Sequence, residues 1–305
     1  MKKYLIIVCC LVSTVYCIAQ QDPQYSQYMF NQLAINPAYA GSREALSAAM
    51  FLRSQWTGIE GAPKTGTFTI NGPLKKRKVG LGLELINDQI GPKKTTGIMG
   101  SYAYRIPIKK GKLAFGLRFG MYDYTYNWAK IEYKDQADIY NTQNQTSKIV
   151  PTADAGVYYY TNTLYWGLSA THLTNGRITS ISNPNGGDAQ LSPHYFFTLG
   201  KAWAFSDKLI FSPSFIIKSA KSAPSTADMN FSFLIDQRLW LGVSVRSRYG
   251  VVAYTQFYIS EKFKVGYAYD FGLNKIGKVG GGSHEIMISY DFNIFKSKTM
   301  SPRYL

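Results

Sequence analysis

The residues of this 305-residue chain with side chains suited to acid–base, nucleophilic or metal chemistry are few: His172, His194, His284 and the run Ser283-His284-Glu285. Serine, histidine and glutamate are the groups of a hydrolytic relay. Neighbours along a strand point to opposite faces, however, so these three cannot form a relay by themselves. No HxH or HExxH spacing occurs, and a metal site would need the histidines to converge with distant carboxylates; each reads as a strand-end or loop-edge residue, with no metal implied. Cys9, Cys10 and Cys17 all lie within the first 17 residues, which leaves the rest of the chain without a thiol nucleophile, a disulfide or a cysteine-ligated metal. The chemistry-bearing residues therefore point to a protein that is not an enzyme and uses no cofactor.

What positions these residues begins with an export leader. Lys2 and Lys3 form a basic start, residues 4–16 an apolar stretch, and Cys17-Ile18-Ala19 a small-residue cleavage site, which predicts a signal peptide over 1–19 and a mature start at Gln20. The apolar stretch is too short to span a bilayer, and bulky Tyr16 argues against lipidation at Cys17. Beyond Gln20 no uninterrupted apolar run reaches helix-spanning length, although 46% of the chain is apolar. That leaves a soluble β-protein or a membrane barrel. The 24 Tyr and 17 Phe against 5 Trp suit strands and membrane interfaces. A formal charge of +16 would ordinarily suggest nucleic acid. Export excludes that partner and favours outer-membrane lipid head groups, lipopolysaccharide or an acidic protein.

From Glu44 onward the pattern has period two. Val79, Leu81, Leu83 and Leu85 oppose Gly80, Gly82 and Glu84; Leu113, Phe115, Leu117, Phe119 and Met121 oppose Ala114, Gly116, Arg118 and Gly120. Leu239 to Val245 and Ile286 to Ile294 repeat the alternation. The polar faces mix glycines with single charges, among them Glu84, Arg118, Arg246, Asp270 and Asp291, as a crowded lumen with paired charges requires. About 14 strands are predicted, at 44–55, 65–72, 78–88, 95–106, 112–126, 152–161, 163–172, 193–204, 208–219, 226–236, 238–247, 250–260, 262–273 and 283–295. With the N-terminus periplasmic, the long links 127–151, 173–192 and 274–282 fall outside, and the short links at Asn162, 205–207, Gln237 and Glu261 fall in the periplasm. The basic runs Lys75-Lys76-Arg77-Lys78 and Lys109-Lys110 with Lys112 also fall on periplasmic turns, while Lys93-Lys94 falls outside. Such runs suit a rim against lipid phosphates, or a docking surface for a periplasmic protein.

Residues 20–43 break this pattern. Asp22 with Pro23 could start a short helix that Asn36-Pro37 ends, giving a piece that lies in the barrel mouth or against its periplasmic rim. The stretch Gln24-Tyr25-Ser26-Gln27-Tyr28-Met29-Phe30-Asn31, with Asn36-Pro37-Ala38-Tyr39-Ala40-Gly41, Arg53-Ser54-Gln55-Trp56 and Gly61-Ala62-Pro63, resembles the PorP/SprF family of type IX secretion membrane proteins. Gly80-Leu81-Gly82, Asn87-Asp88, Gly91-Pro92 and the closing 283–292 extend the resemblance over essentially the whole mature chain. Asn36-Pro37-Ala38 is also similar, over three residues only, to the plug of long-chain fatty-acid transporters.

The resemblance implies an integral outer-membrane protein without catalytic residues that works with periplasmic type IX secretion components. It implies assistance in the secretion or surface anchoring of a large adhesin-like cargo, a role tied to gliding motility; a passive channel or transporter of hydrophobic solutes is the alternative. The expected organisation is a signal peptide (1–19), an N-terminal periplasmic or plug segment (20–43), an all-β transmembrane antiparallel barrel of the outer membrane (44–295) and a periplasmic tail (296–305). The aromatic stretches 122–128 and 158–160 read as interface girdles, or as a contact surface for an external polypeptide. Candidate partner-binding residues are Tyr25, Tyr28, Phe30, Asn31, Asn36, Pro37 and Tyr39 of the N-terminal segment, Lys75, Lys76 and Arg77 of the basic turn, and Tyr126 and Trp128 outside.

Overall fold

The computed structural model describes residues 22–43, 45–74, 77–134, 137, 141, 144–178, 190–220 and 223–292. The expected leader, Gln20, Lys75, Lys76 and the expected tail lie outside the described residues.

The period-two segments form β1 (Leu46–Ser54), β2 (Lys64–Pro73), β3 (Val79–Ile90), β4 (Lys93–Ile108), β5 (Gly111–Asn127), β6 (Gln145–Tyr160), β7 (Leu164–Thr171) and β8 (His194–Lys201). They continue as β9 (Trp203–Ser206), β10 (Leu209–Phe211), β11 (Ser214–Ala220), β12 (Ala223–Ile235), β13 (Leu239–Arg246), β14 (Gly250–Tyr258), β15 (Phe263–Gly272) and β16 (Ser283–Phe292). Each pairs antiparallel with its neighbours, and the sheet closes where β1 meets β16, from Leu46 opposite Phe292 to Ser54 opposite His284. Two of the predicted strands are each interrupted once. β8 and β9 are one stave broken at Ala202, and β10 and β11 another broken at Ser212-Pro213, where proline has no N–H to give the ladder. Counted as staves, the barrel is a closed 14-stranded one. Closure gives every stave a neighbour on both sides, so none is left as an edge strand, as a bilayer core demands.

The inside is the polar side. On β5, Leu117 is 49% and Phe119 61% exposed on the outer wall, while Gly116 and Arg118, which flank Leu117, are buried. On β2 the buried face is Thr65, Thr67, Thr69 and Asn71, and Arg53, Glu84, Asp154, Asp228, Lys264, Asp270 and Glu285 are all buried in the interior. A water-soluble sandwich would reverse both faces. An outer wall of Leu, Phe, Ile and Met around a polar lumen is stable only when lipid replaces water outside. No helix among the described residues is long and apolar enough to cross a membrane; this chain crosses with strands.

Several local expectations change. β6 starts at Gln145, not at 152, because residues 145–151 continue the ladder opposite 121–127. Their polar composition hides them from hydrophobic periodicity, yet the paired backbone satisfies its own hydrogen bonds. Asp22 and Pro23 start no helix: 22–25 are irregular, hydrogen-bonded turns follow over 27–31, and the helical turns of the segment are α1 (Gln32–Ile35) and a 3-10 turn at Pro37–Tyr39, with Asn36-Pro37 ending α1. Tyr124, Tyr158 and Tyr160 are not interface residues, since alternation turns them into the lumen. The link read at 205–207 is Asp207-Lys208, since Phe205 and Ser206 belong to β9; at 235–238, Asp236 and Gln237 both take positive φ, 49° and 54°, the conformation that matches strand twist in a two-residue hairpin.

Candidate functional site

Residues 22–43 occupy the lumen. They run from the mouth carrying the long links, where Asp22 lies beside His172, to the mouth carrying the short turns, where Gly41 meets the start of β3 and the chain enters β1. Three tiers of buried charge hold this plug.

Nearest the long-link mouth, the Glu285 carboxylate accepts hydrogen bonds from the backbone N–H groups of Ser26 and Gln27 at 2.7 and 2.9 Å. Arg53 bridges Glu285 and Asp270 at 3.3 and 2.7 Å, and Arg246 joins Asp270 to Asp228 while donating to the Tyr25 carbonyl at 3.1 Å. In the second tier Arg118 pairs with Glu84 at 2.6 Å and with Asp154, and donates to the carbonyls of Leu33 and Ala34 at 3.1 and 3.2 Å. Those carbonyls belong to α1, so a wall arginine terminates part of the plug's only α-helical turn. At the short-turn mouth Arg43 and Lys264 share Asp291 at 2.8 and 2.6 Å, and Arg105 donates to the Gly41 and Val79 carbonyls. Buried charges of this kind contribute little net stability, because desolvation offsets most of their attraction. What they impose is register: a plug shifted along the axis would strand several of them unpaired.

Shape complements charge. Asn36 donates from Nδ2 to the carbonyls of Val157 and Leu168 at 2.9 and 3.3 Å, and its Oδ1 accepts from Ala38 N–H at 2.9 Å. Pro37-Ala38 then lies directly on Gly116; a Cβ there would stand 2.5 Å from the Pro37 carbonyl carbon. Only glycine admits backbone that close. Tyr39 packs edge-on against Tyr158 at 5.5 Å between ring centroids, and Tyr28 is 1% exposed among the wall residues.

The sequence-derived candidates divide accordingly. Tyr25, Tyr28, Asn31, Asn36, Pro37 and Tyr39 are buried, and Phe30 half-buried, against the inner wall, so in this conformation their partner is the barrel itself. Trp128 is also buried, stacked on Tyr126 at 5.2 Å and donating to Thr146 Oγ1 at 2.8 Å. Arg77 turns the β2–β3 link at φ +54°. Of the charges read as lumenal pairs, Glu84 with Arg118, Arg246 with Asp270, and Asp291 do pair. Their partners Arg53, Asp154, Asp228, Lys264 and Glu285 carry the same signal in the sequence, a charge on the inward face of an alternating strand.

At the long-link mouth the histidines behave differently from the sequence reading. His172 and His194 converge on Asp22 and, together with it, have ligand atoms all within 4.8 Å of one another. Burial acts to raise the Asp22 carboxyl, but the His172 imidazole, its hydrogen bond and His194 outweigh it and hold the group well below the usual carboxylate range. Burial likewise opposes charge on His172, and Asp22 overrides it to raise the imidazole. His284 lies elsewhere, with its Nδ1 2.6 Å from the Tyr267 hydroxyl, so Ser283-His284-Glu285 forms no relay: Glu285 faces the lumen and His284 the aromatic side chains of β15.

A family match covers all of this arrangement but Asp291. Residues 17–290 match the family described as Type IX secretion system membrane protein PorP/SprF. The chain belongs to the PorP/SprF family. Membership makes it a type IX secretion membrane protein, and the matched span holds the plug and all of the barrel but the last two residues of β16. No curated protein matches the chain. Among solved structures, a channel titled CymD monoaromatic hydrocarbon channel superposes with a TM-score of 0.50 at 11% identity, over 90% of this chain and 95% of that one. A Pseudomonas aeruginosa FadL homologue gives 0.47 at 12%, over 89% and 95%, and the Acinetobacter baumannii outer membrane protein Omp33 gives 0.43 at 10%, over 82% and 100%. Identities this low speak to the outer-membrane barrel fold alone.

Proposed function

We propose that this PorP/SprF protein is a closed outer-membrane barrel that assists secretion or surface anchoring of a large adhesin-like cargo, rather than a conduit for solutes. The observation that carries the reading is the lumen filled by residues 22–43 and tied to the wall at three levels. A passive channel needs a path, and buried charges in fixed register disfavour transient withdrawal of the plug. With the ends of β5 and β7 outward, that mouth meets the cargo, and the opposite mouth, where β2 turns into β3, meets periplasmic type IX components. The leader over 1–19 delivers the chain to the periplasm, and lipid and lipopolysaccharide surround the outer wall. Two measurements test the proposal. Deletion of the gene is expected to reduce one or more surface-exposed cargo proteins, and unchanged export and retention of every cargo would sink the secretion role. Planar-bilayer recordings are expected to show little conductance; a steady open pore would favour the channel reading.

A further inference from the structure

We propose that Asp22, His172 and His194 form a binding site for a divalent transition-metal ion of the zinc class, which staples the outer end of the plug to both bases of the link between β7 and β8. The argument starts from distances. His172 Nε2 stands 2.9 Å from both Asp22 carboxylate oxygens, and His194 Nδ1 stands 3.6 Å from Oδ2. Ligands at about 2.0–2.2 Å around a tetrahedral zinc are separated from each other by roughly 3.3–3.5 Å. The spacings to Asp22 bracket that value, and the ligand atoms of all three residues lie within 4.8 Å of one another, so side-chain adjustments separate the present contacts from a coordination shell.

The outer partners are also in place. His172 Nδ1 faces Thr152 Oγ1 at 3.3 Å, an acceptor that would hold the proton on Nδ1 and leave Nε2 as the ligand atom. The His172 backbone N–H is bonded to Asp154 at 2.8 Å, and its φ of +57° is strained for a residue with a Cβ, so the imidazole is held in place from outside the site. Independent of these contacts, His194 Nδ1 is a buried nitrogen that makes no hydrogen bond and is aimed at the cluster. Among the described residues this nitrogen has the Asp22 carboxylate at 3.6 Å and no hydrogen bond, and a metal between them would engage both.

Two imidazoles and one carboxylate select zinc, nickel or copper over calcium and magnesium, which prefer all-oxygen shells. The three residues line a cavity of about 370 Å³ that is open at the mouth, so a fourth position remains for water or for a side chain of a bound polypeptide. The placement gives the site a consequence. His172 and His194 flank residues 173–193, while Asp22 is the first described residue of the plug, so one ion would fix link and plug together.

The test uses the full chain without a histidine tag, purified in detergent and stripped with chelator. Titration with Zn²⁺ is expected to saturate at one ion per chain, and Co²⁺ to give the visible absorption of a four-coordinate ion. His194→Ala and Asp22→Asn are each expected to weaken binding at least about tenfold, whereas His284→Ala leaves it unchanged. The heat-modifiable gel shift of a closed barrel reports folding of every variant, and Asp22→Asn, outside the wall, serves if a histidine variant fails to fold. Absence of saturable binding to the unaltered chain, or binding undiminished in the folded Asp22→Asn variant, would overturn the proposal.

Discussion

Replacing Gly116 by alanine should loosen the plug without touching a charge. Gly116 sits in the ladder between Ala103 of β4 and Gly156 of β5's other neighbour, β6, so its own backbone cannot retreat. The added Cβ would lie 2.5 Å from the Pro37 carbonyl carbon and still closer to Ala38, against an optimum of about 3.5–4.0 Å between carbons. The plug must therefore withdraw locally by about 1 Å. Overpacking of this kind costs about 1–3 kcal/mol. At about 1.4 kcal/mol per factor of ten, the ratio of docked to displaced plug falls between roughly fivefold and a hundredfold. Gly100→Ala is the matched control: it lies on β4, faces outward, and has no heavy atom nearer its Cβ position than the Phe119 carbonyl at 3.8 Å. Equilibrium urea unfolding in lipid vesicles should show the loss at Gly116 and none at Gly100, and bilayer recordings should show brief openings at Gly116 alone. Equal stability and equal silence in the two variants would refute the idea that the wall glycines exist to seat the plug.

Other substitutions test other parts of the same picture. Arg118→Met strands Glu84 and Asp154 together in the lumen and releases the Leu33 and Ala34 carbonyls, which should cost about 3–5 kcal/mol in the same unfolding assay. Asn36→Ala removes the acceptor of the buried Ala38 N–H and should cost about 1–3 kcal/mol, read as faster proteolytic cleavage of the N-terminal segment. Phe119→Arg places a cation midway along β5 on the outer wall and should destabilise the inserted barrel by about 2–4 kcal/mol, while Phe119→Leu should be tolerated; an Arg variant as stable as Leu would mean that this face does not meet lipid.

The wall is largely legible in the sequence. Alternation in β3, β5, β13 and β16 is a local property, because the strand period alone decides which side chains share a face, and a one-residue slip would turn every one of them around. The family motif in 24–41 likewise stands in the linear chain. What alternation could not say is where an ordered strand continues past its apolar stretch, as β6 does from Gln145, or where one stave breaks, as at Pro213.

Sequence by itself determined that one face of each strand is greasy and the other small and charged, that no thiol chemistry follows residue 17, and that residues 20–43 obey a different pattern. Tertiary structure decided the partners. Arg53 meets Asp270 across 217 positions, and His172 meets Asp22 across 150, and no spacing rule reaches that far. Closure of the sheet sets those meetings: once β1 pairs with β16, inward residues of distant strands surround one narrow lumen, and the N-terminal segment is what fills it.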